Sequence, residues 1–204
     1  MRLLRSDDIC FDVGANLGYY TVLMAKAVPR GRVYAFEPDP LSHALLQLNV
    51  RMNRLGNVIT NDLALGDRTG TSTFVQCTDS AFNSFKDTAR RAVLNEIEVP
   101  VTTIDDFMVE HGVPRVDFVK MDVEGAEGLV LCGARNLLRN SALRPRMLLS
   151  ELFDENHKAF GDSAAEIVES LRRSGYERIW PAGNGSGPDL INGFFEAKRE
   201  PAAA

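Results

Sequence analysis

The sequence predicts an α/β fold, a mostly parallel sheet with helices on both faces, and three observations carry that prediction. Short apolar runs, the mark of strands buried on both sides, are separated by longer helix-forming segments. The stretch ICFDVGANLGYYTVLMA, residues 9–25, passes from an apolar strand through a glycine turn into a helix. VDFVKMDVEGAEGLVL, residues 116–131, makes the same passage and sets charged residues at the end of its strand.

Taken in order, Ile9, Cys10, Phe11 and Val13 mark a strand at 9–13, and a helix over 17–28 follows, with no proline before Pro29. RVYAFEP gives a strand at 32–37, then a helix over 40–53 and a strand at 58–62. Residues 66–102 break the rhythm: GDRTGTS signals turns, while TSTFVQ and IEVPVTTI are β-rich. This β-rich insert is expected as a hairpin or edge strands over the ligand crevice. Strands at 116–122 and 146–152 flank a helix over 126–139, and the amphipathic SAAEIVESLRRSG gives a helix over 163–174 ending at Gly175. YERIW and LINGFFEA, joined by AGNGSGPD, read as a hairpin, and 198–204 as a frayed tail. No internal repeat or linker stands out, so a single domain over 1–204 is expected.

Composition narrows the function classes. With 204 residues, 45% of them hydrophobic, the chain can bury one substantial core. A net charge of −5 disfavours nonspecific attraction to nucleic acid or an anionic membrane. No apolar run reaches membrane-spanning length and MRLLRSDD is too short and polar for a signal peptide, so the cytoplasm is the expected place. Cys10, Cys77 and Cys132 are scattered, as are His43, His111 and His157; neither a disulfide framework nor a metal site is expected.

The first glycine turn reads as a cofactor site. Gly14 and Gly18 remove side chains where a ligand approaches backbone, and the helix N-terminus presents N–H groups to an anion. Glu37, ending the second strand, could accept both hydroxyls of a ribose, each charge-assisted bond contributing roughly 1.5–3 kcal/mol. A dinucleotide fingerprint needs a middle glycine, and Asn16 stands there. The loop fits a smaller anion such as an amino-acid carboxylate, and a ribose plus an amino-acid end describes S-adenosylmethionine. A strand-to-helix glycine turn with no ligand is the purely structural alternative.

The second passage adds the chemistry. Pleat alternation sends Val119, Met121 and Val123 to one face and Lys120, Asp122 and Glu124 to the other. Charges together at the end of a central strand suggest a site, although Glu124 and Glu127 could simply favour the following helix N-terminus. Asp122 is expected nearest the methionine end, with Glu124 helping to hold the turn. Glu151, after the strand MLLS, is expected to face the same crevice, and His157 to lie in a polar loop. Methyl transfer needs an acceptor held in line and a group that takes its proton; candidates are Asp122, Glu124, Glu151 and His157.

With these pieces in order, FDVGANLGYYT, FEPDP, NDLALGD, VTTIDDF and VKMDVEGAE, the chain resembles the FkbM-type methyltransferases, a family of class I S-adenosylmethionine-dependent enzymes. The likeness runs from about residue 9 to 133 and continues more loosely through LLSEL and GYERI. It implies a Rossmann-like class I methyltransferase sheet of seven strands, the last antiparallel, and O-methylation of a sugar or natural-product hydroxyl. A catalytically inactive S-adenosylmethionine-binding scaffold is the competing reading. The expected cofactor contacts are Asp12, Gly14, Ala15, Asn16, Gly18 and Tyr20 in the first loop, Glu37 and Pro38 after the second strand, Asp62 and Ala64 after the third, and Asp122. Asp62 or a backbone amide beside it could bond an adenine amine, and Asn83 and Ser84 of the insert could touch cofactor or substrate. The expected partner is a small-molecule or glycan acceptor, with no nucleic acid and no membrane. Family members carry more chain ahead of the first strand, so a substrate-covering segment is expected to be absent or supplied by a larger protein.

Overall fold

The computed structural model describes residues 3–180 and 192–198; the AGNGSGPD connection and the tail beyond residue 198 lie outside them. In chain order the elements are β1 (Ile9–Val13), α1 (Tyr19–Ala27), β2 (Arg32–Phe36), α2 (Pro40–Met52), β3 (Val58–Asn61), β4 (Ala64–Leu65), β5 (Gly70–Cys77) and β6 (Val93–Thr102). They continue with α3 (Ile104–Glu110), β7 (Phe118–Met121), α4 (Glu127–Cys132), α5 (Arg135–Arg139), β8 (Met147–Glu151), α6 (Asp154–Phe160), α7 (Ala164–Arg173), β9 (Tyr176–Trp180) and β10 (Asn192–Ala197).

The main sheet has the order β3-β2-β1-β7-β8-β10-β9. The pairs from β3 to β8 are parallel, whereas β10 runs antiparallel to both β8 and β9. The sheet is therefore the mostly parallel one that the sequence predicts, with an antiparallel last strand. Its pleat feeds two cores. Phe11, Tyr34, Val119 and Leu148 join Phe107, Leu131 and Leu171 on one face, while Cys10, Val33, Phe118 and Leu149 join Met24 of α1 on the other.

Local chemistry sets several boundaries. Asp39 caps α2 by accepting the Ser42 N–H at 2.8 Å, with Pro40 in the first turn. Ser163 and Glu166 form a capping pair at α7. The helix expected over 126–139 is instead broken into α4 and α5 at Gly133. There is no room for a side chain there, because a Cβ would stand 1.9 Å from the Gly66 carbonyl oxygen. Beyond the break, Asp105 accepts the Asn136 and Leu137 N–H groups. Two short helices lie beyond the sequence expectations: α3, which begins at Ile104, the last residue of the β-rich IEVPVTTI, and α6, in place of the expected polar loop.

The insert's β5 and β6 pair antiparallel and, with β4 just ahead of the insert, form a second sheet, β4-β6-β5. Among the described residues, no helix is long and apolar enough to cross a membrane.

Candidate functional site

The ends of β2, β1 and β7 open onto a cleft lined by Gly14, Asn16, Glu37, Leu65, Asp122 and Glu124. It lies where the connections from β1 and β7 diverge to opposite sides of the sheet, the usual ligand position in such folds. Gly14, at φ +71°, lets the β1–α1 turn lie against the end of β7: a Cβ would meet the Asp122 carbonyl oxygen at 2.0 Å. The turn is tied to β2 as well. Gly14 and Ala15 both donate their N–H groups to the Phe36 carbonyl, and Asn16 donates to Glu37 Oε2 at 2.7 Å. The N–H groups of the turn from Gly14 to Asn16 are thus engaged with Phe36 and Glu37, ahead of the α1 N-terminus expected to face an anion.

Glu37 is buried, and its Oε1 also accepts the Asp39 N–H at 2.9 Å. Burial pushes its carboxyl up to about 7 against the pull of those two N–H bonds. Each oxygen still has a lone pair to offer a ligand. The opposite wall is the second sheet and its connection: Ala64 and Leu65 of β4, Phe74 of β5, and Asn83 and Phe85 beyond it.

At the other end of the cleft, Lys120 is the buried tie. The register sets it beside Asp12 of β1. Its Nζ donates to the Gly14 carbonyl at 2.7 Å and pairs with Asp12 at 3.4 Å and Asp122 at 3.5 Å. Burial lowers its pKa, but the two aspartates outweigh that and hold the ammonium charged.

After Met121 the chain leaves the strand, with Glu124 at φ +52° and Gly125 at φ +101°. The pleat alternation expected to carry Glu124 therefore stops short of it. Glu127 holds the turn instead, its two oxygens accepting the Val123 N–H at 2.9 Å and the Gly125 N–H at 3.1 Å, and its burial pushes it up to about 7. Gly125 lets α6 pack on the turn, since a Cβ would meet the Asn156 carbonyl oxygen at 2.5 Å.

Glu124 is thereby free to engage other groups. Asn156 Nδ2 donates to Glu124 at 2.7 Å and to Glu151 at 3.1 Å, and Arg90 Nη1 donates to Glu124 at 2.9 Å. Oxygens of Asp122, Glu124 and Glu151 lie within 4.8 Å of one another. Burial, then the facing carboxylates, raises both Glu124 and Glu151, while Arg90 and Asn156 pull Glu124 back.

Of the residues the sequence singles out, Gly14, Asn16, Glu37, Pro38, Ala64, Asn83, Asp122 and Glu124 line the cleft. The others do not. Asp12 is fully enclosed between Lys120 and Thr21, whose Oγ1 donates to it at 2.5 Å, so it supports the wall from behind. Ala15 packs with Leu46, and Gly18 has Leu46 Cδ1 where a Cβ would go; both serve the seating of α2. Tyr20 stays exposed with its ring 5.4 Å from Lys120 Nζ, and Asp62 faces solvent. Glu151 stands one step back, behind Asn156. His157 is not in an exposed loop: it is completely buried in α6, 3.6 Å from Glu127, and burial lowers its pKa. Arg90 and Asn156, which complete the acidic end, escaped the sequence reading because neither belongs to a motif and their contacts span 34 and 32 residues.

A family model described as "Methyltransferase FkbM domain" matches residues 12–178. The chain is 27% identical over 201 residues to the 31-O-demethyl-FK506 methyltransferase FkbM of Streptomyces tacrolimicus, covering 85% of this chain and 74% of that protein. It is 33% identical over 138 residues to the hexuronic acid methyltransferase AglP of Haloferax volcanii, covering 67% of this chain and 54% of that protein. The chain thus spans about three quarters of the first relative and about half of the second. Among solved structures, an rRNA methylase from Streptococcus thermophilus shares the fold with a TM-score of 0.55 at 12% identity, covering 97% of this chain and 90% of that one.

Proposed function

Because the chain belongs to the FkbM methyltransferase family, whose methyl donor is S-adenosylmethionine, we propose that it methylates a hydroxyl oxygen on a sugar or natural-product-like small molecule. One observation carries the reading: a single cleft holds a buried carboxylate, Glu37, at one end and two further carboxylates, the half-buried Asp122 and the buried Glu124, at the other. The donor set fits the cofactor. Glu37 would accept the two ribose hydroxyls, Leu65, Phe74 and Phe85 offer apolar surface to a flat ring, and Asp122 would accept from an ammonium.

When bound, S-adenosylmethionine supplies a methyl group on a positively charged sulfur, which an acceptor oxygen takes as the carbon–sulfur bond breaks and a neutral thioether leaves. What remains for the chain is to align the acceptor, exclude water and receive the hydroxyl proton. Asp122 and Glu124 are the carboxylates at that end of the cleft, and Lys120 fixes the Gly14 backbone beside them. Their negative charge favours neutral hydroxyl acceptors over phosphate-bearing ones, nucleic acid included. The O-methylation reading also draws support from the product position in the name of the Streptomyces relative.

The test is incubation with methyl-labelled cofactor and mixed glycan, lipid and small-hydroxyl extracts, followed by mass spectrometry. Label is expected in a methyl ether. Cofactor binding without transfer would return the chain to the scaffold reading, and label on nitrogen or in nucleic acid would overturn the acceptor class.

A further inference from the structure

Arg90 comes to the acidic end of the cleft from the connection between β5 and β6, remote in sequence from everything it touches. Its guanidinium lies between two aromatic rings, 4.4 Å from the centre of Phe82 and 4.5 Å from that of Phe153. From that clamp Nη1 donates to Glu124 Oε2 at 2.9 Å and to Asn156 Oδ1 at 3.2 Å. The buried Asn156 uses its other end to hold Glu124 and Glu151 together. A neighbour of Arg90 in the same connection secures the backbone: Ser84 Oγ is bonded to the carbonyls of Val123 and Glu124 at 3.2 and 3.1 Å. The connection therefore aims the Glu124 carboxylate and supplies its counter-charge.

We infer that Arg90 is the positioning residue of methyl transfer, holding Glu124 as the ionised carboxylate that receives the acceptor's proton. The inference rests on the methyl-transfer reading above. As the acceptor oxygen forms its bond to the methyl carbon and the carbon–sulfur bond breaks, the hydroxyl proton passes to Glu124, which lines the cleft and releases it to solvent afterwards. Three carboxylates this close cannot share the charge equally. Glu124 meets Asp122 on its own turn, Glu151 from β8, Glu127 from α4 and Arg90 from the connection, while Lys120 from β7 pairs with Asp12 and Asp122 and His157 from α6 lies against Glu127. Of these, only Arg90 gives Glu124 a cationic hydrogen bond, and Glu151 receives only the neutral Asn156 amide. Asp122 has Lys120 as its counter-ion, and between Glu124 and Glu151 the charge is favoured on Glu124. Burial raises both carboxyls, Glu124 to about 7 and Glu151 to about 9, and Arg90 pulls Glu124 back down.

The test uses the full chain with S-adenosylhomocysteine bound and carboxyl-13C-labelled glutamate, the Glu124 resonance being assigned through Glu124→Gln. Arg90→Met keeps the space between Phe82 and Phe153 filled while removing the charge. It is expected to move the Glu124 titration to higher pH by about one pH unit or more, and Arg90→Lys to restore most of the wild-type position. Methyl transfer to methyl α-D-glucopyranoside, as probe acceptor, is expected to show its acidic limb displaced by the same amount, in kcat and not in the cofactor KM. Should Arg90→Met fail to fold, Phe153→Leu loosens the clamp without removing the charge and is expected to give a smaller displacement in the same direction. An unmoved Glu124 titration in a folded variant overturns the role of Arg90. Absence of transfer to any acceptor by the wild type overturns the methyl-transfer reading instead, and leaves the titration to decide on Arg90.

Discussion

Glu37 combines two tasks at the scale of a single residue, since the carboxylate proposed for the ribose also ties the first loop to the start of α2 through the Asn16 and Asp39 N–H groups. Glu37→Ala is expected to weaken S-adenosylhomocysteine binding by about 1.5–3 kcal/mol, the range for hydrogen bonds to a charged group. Calorimetry on the folded variant checks it; unchanged affinity would remove Glu37 from the site. Asp122 and Glu124 separate in a different way. Asp122 is paired with Lys120, whereas Glu124 is held by Arg90 and Asn156 and is relieved of the turn by Glu127. Glu124→Gln is therefore expected to lower turnover by about 10²–10⁴-fold with little change in cofactor affinity, as for other positioned proton acceptors. Asp122→Asn is expected to weaken cofactor binding as well as turnover. If Asp122→Asn alone reproduced the pure turnover loss, the proton would go to Asp122.

At the scale of elements, the β7–α4 turn and α6 form one unit, because Gly125 lets the Asn156 backbone approach it closely. Gly125→Ala would put a Cβ 2.5 Å from the Asn156 carbonyl at a φ of +101°. The combined overpacking and strain is expected to cost about 1–3 kcal/mol and to pull Asn156 away from Glu124. Thermal melting and turnover should fall together; a variant that melts like wild type would show that the turn yields freely. The β5–β6 connection brings a second cation, Arg90, to a cluster in which Lys120 already pairs with Asp122. Turnover is accordingly expected to survive EDTA. Its loss on chelation and recovery with magnesium would assign those carboxylates to a metal.

Across the whole molecule, burying carboxylates makes stability depend on pH in an unusual sense. Burial raises Glu37 and Glu127 to about 7, so between their ordinary value of 4.5 and about 7 the folded chain binds more protons than the unfolded one. Their contribution is full below the unfolded value and is lost as pH rises through 7. His157, lowered by burial, works the other way as a single group. The melting temperature is expected to be higher near about pH 5.5 than near about pH 8.5, and the reverse order in a scan of the free protein would contradict these shifts. The sequence by itself determined the sheet, the two strand-to-helix passages, the cofactor and the family, because apolar runs, glycine turns and strand-end acids act through neighbours in the chain. Even the placement of Gly14, Glu37 and Asp122 along one cleft follows from each coming directly after a strand of the same sheet. Only the tertiary structure decided that Asp12 supports the wall from behind, that His157 is buried, and that Glu127, not Glu124, holds the turn. It alone brought Arg90 and Asn156 to Glu124. Those outcomes depend on how closely elements far apart in sequence approach, and on which polar group burial leaves with a partner; residue type and local spacing encode neither.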